Sequence, residues 1–302
     1  MRVWDLRSRR ARGRPLAGHT GPVSAVAALL SPGGCPLAVT GSHDGTVRVW
    51  DLATGRAVGE PLTGHRSGVY AVATLVLPDG HPVAVTGGYD GTVRVWDLRS
   101  RRALGRPLTG HEGVVYAVAV AVLPDGTPVA VSGGKDGTVR VWDLLGCRTV
   151  GDPLAEHTAS VHAVVAVALP DGVPVAVTGD LDGTVLLWDL RSRRALGAPM
   201  TGHVEPVLAA TTAVSVDGRP TVVTGGMDHA VRLWEVPCDA PGGPSAPGTL
   251  SALGTRPVRG AVQAVASVDS GTGRLLVIAA DDLSCVALDE DRVAALTASR
   301  PG

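Results

Sequence analysis

A histidine, a hydroxyl and an aspartate recur together five times along this chain. The sets are His19, Thr40 and Asp44; His65, Thr86 and Asp90; His111, Ser132 and Asp136; His157, Thr178 and Asp182; and His203, Thr224 and Asp228. Base, nucleophile and acid of a hydrolytic triad are the same residue types. Two features count against that chemistry. An enzyme needs one such set, and four of the five hydroxyls are threonines, an unusual nucleophile for ordinary hydrolysis. Each Asp also precedes a tryptophan by six residues (Trp50, Trp96, Trp142, Trp188 and Trp234), so the recurring unit has four members. A fully satisfied buried hydrogen-bond network explains such a repeat better than catalysis does. No catalytic residue is assigned.

That assignment uses five of the nine histidines. The four cysteines (Cys35, Cys147, Cys238 and Cys285) lie far apart with no CxxC or CxxH pairing, which gives neither a zinc site nor a disulfide framework. No metal and no cofactor is expected, and the chain reads as reduced and cytoplasmic. Its N-terminus, MRVWDLRSRR, lacks the apolar run of a secretory signal. The most apolar stretch, Val114 to Leu123, is too short to span a membrane and alternates as a strand does. With 27 basic and 28 acidic residues the net charge is −1, which argues against a general nucleic-acid or membrane-surface binder.

The elements that must position these residues follow from the period. Tryptophans fall at 4, 50, 96, 142, 188 and 234, always 46 apart, each followed by Asp or Glu. Within His65–Gly110, GVYAVATLVL alternates as a strand, PDGHP turns, PVAVTGG is a second strand, YDG turns again, and TVRVWDL is a third. After RSRR, RALGRPLTG reads as a fourth, weaker strand. No helical spacing of apolar residues occurs. The 40 Gly and 22 Pro, about a fifth of the chain, are largely the repeated turns. One Lys, one Ile, no Asn and no Phe, against 26 Arg, point to GC-rich coding and a bacterial origin.

Four short antiparallel strands per unit, with Gly-His and Trp-Asp marks, resemble the WD-repeat β-propeller family. The resemblance rests on GHT…VTGSHDGTVRVWD, GHR…VTGGYDGTVRVWD, GHE…VSGGKDGTVRVWD, EHT…VTGDLDGTVLLWD and GHV…VTGGMDHAVRLWE. It implies an all-β propeller over 1–290: a partial blade at 1–17, repeats at 18–63, 64–109, 110–155, 156–201 and 202–236, and a degenerate repeat at 258–290 with Leu288 in the tryptophan's place. Pro237–Pro257 reads as a Pro/Gly/Ser-rich insertion and a loop, and 291–302 as a C-terminal tail. Six to seven blades are expected, the first incomplete. Asp228-His229-Ala230 stands where the other repeats have Asp-Gly-Thr, so a looser turn is expected there.

By the same resemblance the His, hydroxyl, Asp and Trp form a structural tetrad in each repeat. The face carrying the His loops and Asp turns is then the binding face. Its hot positions fall on Ser24, Pro22 and His43; Tyr70, Gly68 and Tyr89; Tyr116, Val114 and Lys135; His162, Ser160 and Leu181; and Leu208, Pro206 and Met227, with Gln263 and Asp281 in the degenerate repeat. This set takes in all three tyrosines and the only lysine. Large amphipathic residues gathered at one place are what protein-binding hot spots use. The LRSRR turns at Arg7–Arg10, Arg99–Arg102 and Arg191–Arg194 are basic but have no interleaved aromatics for stacking on bases, which argues against nucleic acid.

Met1 stands where Val47, Val93 and Val139 stand in their repeats. Because a GTG valine codon can serve as a bacterial start, the sequence suggests that this is the C-terminal part of a longer protein. The function expected is a non-enzymatic, monomeric scaffold or sensor for a protein or peptide. The alternative is the regulatory propeller domain of a larger bacterial signalling enzyme, a kinase or NTPase.

Overall fold

The computed structural model describes residues 1–5, 8, 10–169, 172–214, 220–236, 251–257, 261–269, 274–280 and 285–288. Among the described residues every regular element is a strand, and no helix is long and apolar enough to cross a membrane. The chain divides into two compact units. One comprises Met1–Val120, Gly126–Lys135 and Val141–Gly151; the other comprises Ala121–Asp125, Asp136–Arg140 and the chain from Asp152 onward.

The first unit opens with a hairpin, β1 (Val3–Asp5) and β2 (Arg10–Arg12). Blade one follows as β3 (Val23–Leu30), β4 (Pro36–Ser42), β5 (Val47–Asp51) and β6 (Arg56–Ala57). Blade two is β7 (Val69–Val76), β8 (Pro82–Gly88), β9 (Val93–Asp97) and β10 (Arg102–Leu108); blade three is β11 (Val115–Val122), β12 (Pro128–Gly134), β13 (Val139–Asp143) and β14 (Arg148–Thr149). In the second unit, blade four is β15 (Val161–Ala168), β16 (Pro174–Asp180), β17 (Val185–Asp189) and β18 (Arg194–Ala195). Blade five is β19 (Val207–Val214), β20 (Pro220–Gly226), β21 (Ala230–Glu235) and β22 (Ser251–Pro257), and a last sheet holds β23 (Val262–Asp269), β24 (Arg274–Ala280) and β25 (Cys285–Leu288).

Five of these sheets have four strands, so the described residues form five complete blades rather than six to seven. The hairpin pairs only with itself among the described residues, and the degenerate repeat forms three strands. A second correction concerns the insertion. Residues 251–257 are not loop but the fourth strand of blade five, pairing Ser251 with Glu235 through to Pro257 with Ala230. Residues 237–250 lie outside the described residues.

Adjacent blades pack through the faces of their middle strands, which is why PVAV reads apolar on both sides. Val39, Val47 and Leu62 of blade one meet Val69, Ala84 and Trp96 of blade two. Val83, Val85 and Leu108 of blade two meet Val115, Ala130 and Trp142 of blade three. In the second unit Val175, Val177 and Met200 meet Val207, Val222 and Trp234. Each buried indole contributes on the order of 5 kcal/mol through the area it removes from water.

In each of the five blades one buried hydroxyl links an indole to an imidazole. In blade two the Trp96 indole donates to Thr86 Oγ1 at 2.8 Å, Thr86 Oγ1 lies 2.7 Å from His65 Nε2, and His65 Nδ1 lies 3.1 Å from Asp90. Blade one repeats this with Trp50, Thr40, His19 and Asp44, and blade five with Trp234, Thr224, His203 and Asp228. In blade three Ser132 Oγ takes the Trp142 indole at 2.8 Å and lies 2.7 Å from His111.

Blade four corrects the sequence assignment. His157 Nδ1 meets Asp180 at 2.8 Å, while Asp182 turns outward to accept the Thr158 hydroxyl at 2.9 Å. Asp180 stands where blades two, three and five have Gly88, Gly134 and Gly226. A Cβ built on Gly88 would lie 2.6 Å from Asp90 Oδ1, so a side chain at that place enters the space of the turn carboxylate. Asp180 therefore supplies the carboxylate itself, fully buried, and accepts the N–H groups of Asp182 and Thr184.

Burial holds His65 below the usual imidazole value and outweighs the attraction of Asp90; His203 is lowered by burial in the same way. For Asp90 burial acts in the opposite sense, but the Arg66 N–H, Thr92 and His65 overcome it and hold the carboxyl low. A neutral His65 imidazole facing an ionised Asp90 carboxylate fits the geometry, with Nδ1–H donating to Asp90 and Nε2 accepting from the Thr86 hydroxyl.

Turn five keeps the conformation of the others despite its sequence. His229 adopts φ 55°, in the left-handed region that Gly45, Gly91, Gly137 and Gly183 occupy in the other turns. Strain is retained there rather than looseness, at a cost of about 1–2 kcal/mol.

Three outcomes are expected. Replacing His229→Gly should raise stability by about 0.5–1 kcal/mol, strain relief exceeding the added entropy of the unfolded chain, as read from denaturant midpoints. Asp180→Ala should cost about 1–3 kcal/mol by leaving buried donors unsatisfied, whereas Asp182→Ala should stay within about 0.5 kcal/mol; the reverse ranking would restore Asp182 to the tetrad. Because His65 and His203 are depressed below 6.5, the unfolded chain binds protons that the folded chain refuses. Stability should therefore fall as pH drops below 6.5, and a flat unfolding midpoint between about pH 7.5 and 5 would contradict the buried neutral imidazoles.

Candidate functional site

The candidate face is built from two backbone features, a bulge shown by blades one, two, four and five and the last sheet, and a hydrogen bond shown by all five complete blades. The first is a bulge at the start of the inner strand. Pairing shifts between Val23 and Ala25, Val69 and Ala71, Val161 and Ala163, Val207 and Ala209, and Val262 and Ala264. The extra residues are Ser24, Tyr70, His162, Leu208 and Gln263. A bulge releases one residue from the ladder and re-aims its side chain. The second feature is a backbone hydrogen bond from the residue before each turn. His43 donates its N–H to Pro22, Tyr89 to Gly68, Lys135 to Val114, Leu181 to Ser160 and Met227 to Pro206, at 2.8–3.1 Å. Bulge and turn positions of one blade are thus held side by side whatever side chains they carry.

In the first unit these positions bring the tyrosines together. Tyr70 is the centre. Its ring lies 6.0 Å from that of Tyr89, 6.0 Å from that of Tyr116 at 88°, and 4.9 Å from that of His43. Edge-to-face and tilted aromatic pairs at such distances are favourable by about 0.5–1.5 kcal/mol each. Tyr89 is 56% exposed, while Tyr70 and Tyr116 are half-buried. Burial, with the neighbouring Tyr70 and Tyr89 phenols, pushes the Tyr116 hydroxyl above the usual range, so it stays a neutral donor. Lys135 is exposed in the next blade, its stem beside Gly113, where a Cβ would lie 3.3 Å from the lysine Cβ.

Ser24 behaves differently. Its hydroxyl is given to the backbone carbonyl of Val69 in the next blade, so it serves the blade contact. In the second unit His162, Leu181 and Leu208 are half-buried and Met227 is exposed. Burial lowers the His162 imidazole. Gln263 is exposed, and Asp281 lies outside the described residues. Among the described residues no three His, Cys, Asp or Glu side chains group so as to hold a metal ion.

The arginine turns are partly structural. Arg101 adopts φ 59° and sends its guanidinium into blade one, donating from Nη1 to the Val58 carbonyl at 2.7 Å and from Nη2 to that of Glu60 at 2.8 Å. It passes over Gly59, where any Cβ would overlap it. Cys147 occupies the equivalent turn of blade three at φ 47°, against Gly105 of blade two. A clamp of this kind leaves those donors unavailable to phosphates.

The WD domain, G-beta repeat family model matches residues 12–51, 56–97, 103–143 and 151–189. Among curated proteins no significant match is found. The four matched repeats cover more than half of the chain, and each carries the tryptophan–hydroxyl–histidine network within four-stranded antiparallel blades. The chain belongs to the WD-repeat family of β-propeller proteins.

Proposed function

We propose that this chain is a non-enzymatic interaction module that holds a protein or peptide partner on its tyrosine cluster. Propellers of this family generally mediate protein–protein contacts. The observation that supports the location is the convergence of Tyr89, Tyr116 and His43 on the Tyr70 ring. Rings that already brace one another give up little freedom on binding, and they offer apolar area together with phenol hydrogen bonds. Lys135, exposed at the equivalent position of the next blade, adds a cation for a carboxylate at the rim of the contact. The residues that could have suggested hydrolysis are otherwise engaged: Thr40, Thr86, Ser132, Thr178 and Thr224 are fully buried, and each accepts an indole N–H.

Tyr89 gives the sharpest test because it is exposed. Tyr89→Ala should leave thermal stability nearly unchanged yet weaken the partner captured by the intact chain at least about tenfold, and Tyr70→Ala with Tyr116→Ala added should abolish capture. Unchanged binding to a folded triple variant would move the site elsewhere.

A further inference from the structure

If the tyrosine cluster is the place of contact, as proposed above, its chemistry selects the partner. Every ring in it has an apolar face and a polar edge. The Tyr70 ring lies 4.9 Å from His43 and 6.0 Å from both Tyr89 and Tyr116, the last pair meeting at 88°. Two ring planes at a right angle present a corner, which suits a compact apolar ring better than a long flexible side chain. Gly68 lets the Tyr70 ring lie close on the backbone: an added Cβ would be 3.6 Å from Tyr70 Cε2 and 3.2 Å from His43 Cα. All of these residues belong to the first unit.

The polar edges narrow the choice. Among the described residues neither the Tyr70 nor the Tyr89 hydroxyl has a hydrogen-bond partner. Both lose water when a partner covers the rings, and a buried donor left unmade is costly. The partner must therefore bring acceptors together with apolar area. The carbonyls of an α-helix are committed to its own N–H groups, and those of a paired strand to its neighbour. A polyproline II segment has no internal hydrogen bonds, so each of its carbonyls is open to a donor. It rises about 3.1 Å per residue, which sets carbonyls two residues apart at about 6.2 Å. The ring separations of 6.0 Å match that step. Proline also fixes the conformation before binding, which keeps the ordering cost low.

Charge adds a second requirement. Lys135 is placed beside Tyr116 by the same backbone bond that places Tyr89 beside Tyr70. A carboxylate next to the prolines would meet this cation, whereas a cationic ligand would meet like charge. We infer that the partner segment is proline-rich with an acidic flank. It binds as a polyproline II helix, its prolines against Tyr70, Tyr89 and Tyr116 and its carboxylate at Lys135. Aromatic-lined grooves are common receptors for such segments.

The chain's three tyrosines all lie in the cluster, so tyrosine ring signals report on this site alone. The probe is the blocked peptide PPPPPPPPDD, added to the intact chain carrying ring-carbon-13 tyrosine, with Tyr70→Phe, Tyr89→Phe and Tyr116→Phe assigning the signals. It should shift all three with a dissociation constant between roughly micromolar and millimolar. Tyr89→Phe keeps the ring and removes the hydroxyl, and should weaken binding about fivefold. Lys135→Gln should weaken it about threefold and make it indifferent to replacing the aspartates with asparagines. A peptide of equal length and charge, with alanine and glutamine in place of proline, should leave the rings unmoved. The inference is overturned if that peptide shifts them equally, if a trimethyl-lysine peptide shifts them more strongly, or if PPPPPPPPDD shifts none of them. Any of these results leaves the cluster as a binding site so long as Tyr89→Ala still weakens capture of the partner; loss of that effect as well would remove the site itself.

Discussion

One buried oxygen in each blade carries two hydrogen bonds, and the rest of the blade is arranged around them. Thr86 Oγ1 accepts from the Trp96 indole and reaches His65 Nε2, which orients the ring so that Nδ1 meets the turn carboxylate. The oxygen lies on the middle strand, the indole on the third, the imidazole in the loop before the first, and the carboxylate in a turn. A single fully buried hydroxyl thereby fixes four segments relative to one another. Each bond adds only about 1 kcal/mol net, but leaving one partner unmade costs about 1–3 kcal/mol, so the network acts as a unit.

The departures from the pattern show what is constrained. In blade four the carboxylate comes from Asp180 rather than Asp182, so the requirement is for an acid at a point in space, not at one position in the repeat. In the last sheet, strand register aligns Ile278 with Thr86 and Leu288 with Trp96, and the sequence places Val258 where the other repeats have His. Hydroxyl, indole and imidazole positions have all become apolar together. A partly satisfied polar network is worse than an apolar core, and joint loss is the outcome that rule favours.

Much of this was readable from spacing. The 46-residue period fixed strand order, turn positions and the members of the networks in blades one, two and five, because each residue type recurs in register. The choice between Asp180 and Asp182 was hidden, since both precede the turn glycine in GDLDG and only backbone geometry directs one inward. Strand β22 was hidden by composition: Ser251–Pro257 follows a Pro- and Gly-rich stretch and owes its form to pairing with Ala230–Glu235. The bulges at Ser24, Tyr70, His162 and Leu208 were also invisible, because small residues on both sides of the shift look the same in either register. The blade count failed for a related reason. The repeat marks appear six times at the tryptophan, but among the described residues the Trp4 mark belongs to a two-stranded hairpin.

Those bulges explain how a rigid repeat can carry a variable face. The tetrad lies beneath and accepts almost no change, whereas the bulge residue is outside the ladder and the turn residue is placed by its backbone N–H. Neither position asks anything of its side chain, so Tyr70 beside Tyr89 in blade two and Leu208 with Met227 in blade five are equally compatible with the same fold. Recognition and stability therefore rest on different atoms: substitutions at the bulge and turn positions alter what is bound, while the hydroxyl, indole and imidazole below decide whether the blade exists. Ser24 marks the boundary between these two roles. Placed by its bulge with the binding positions, it spends its hydroxyl on the backbone of blade two and belongs to the scaffold.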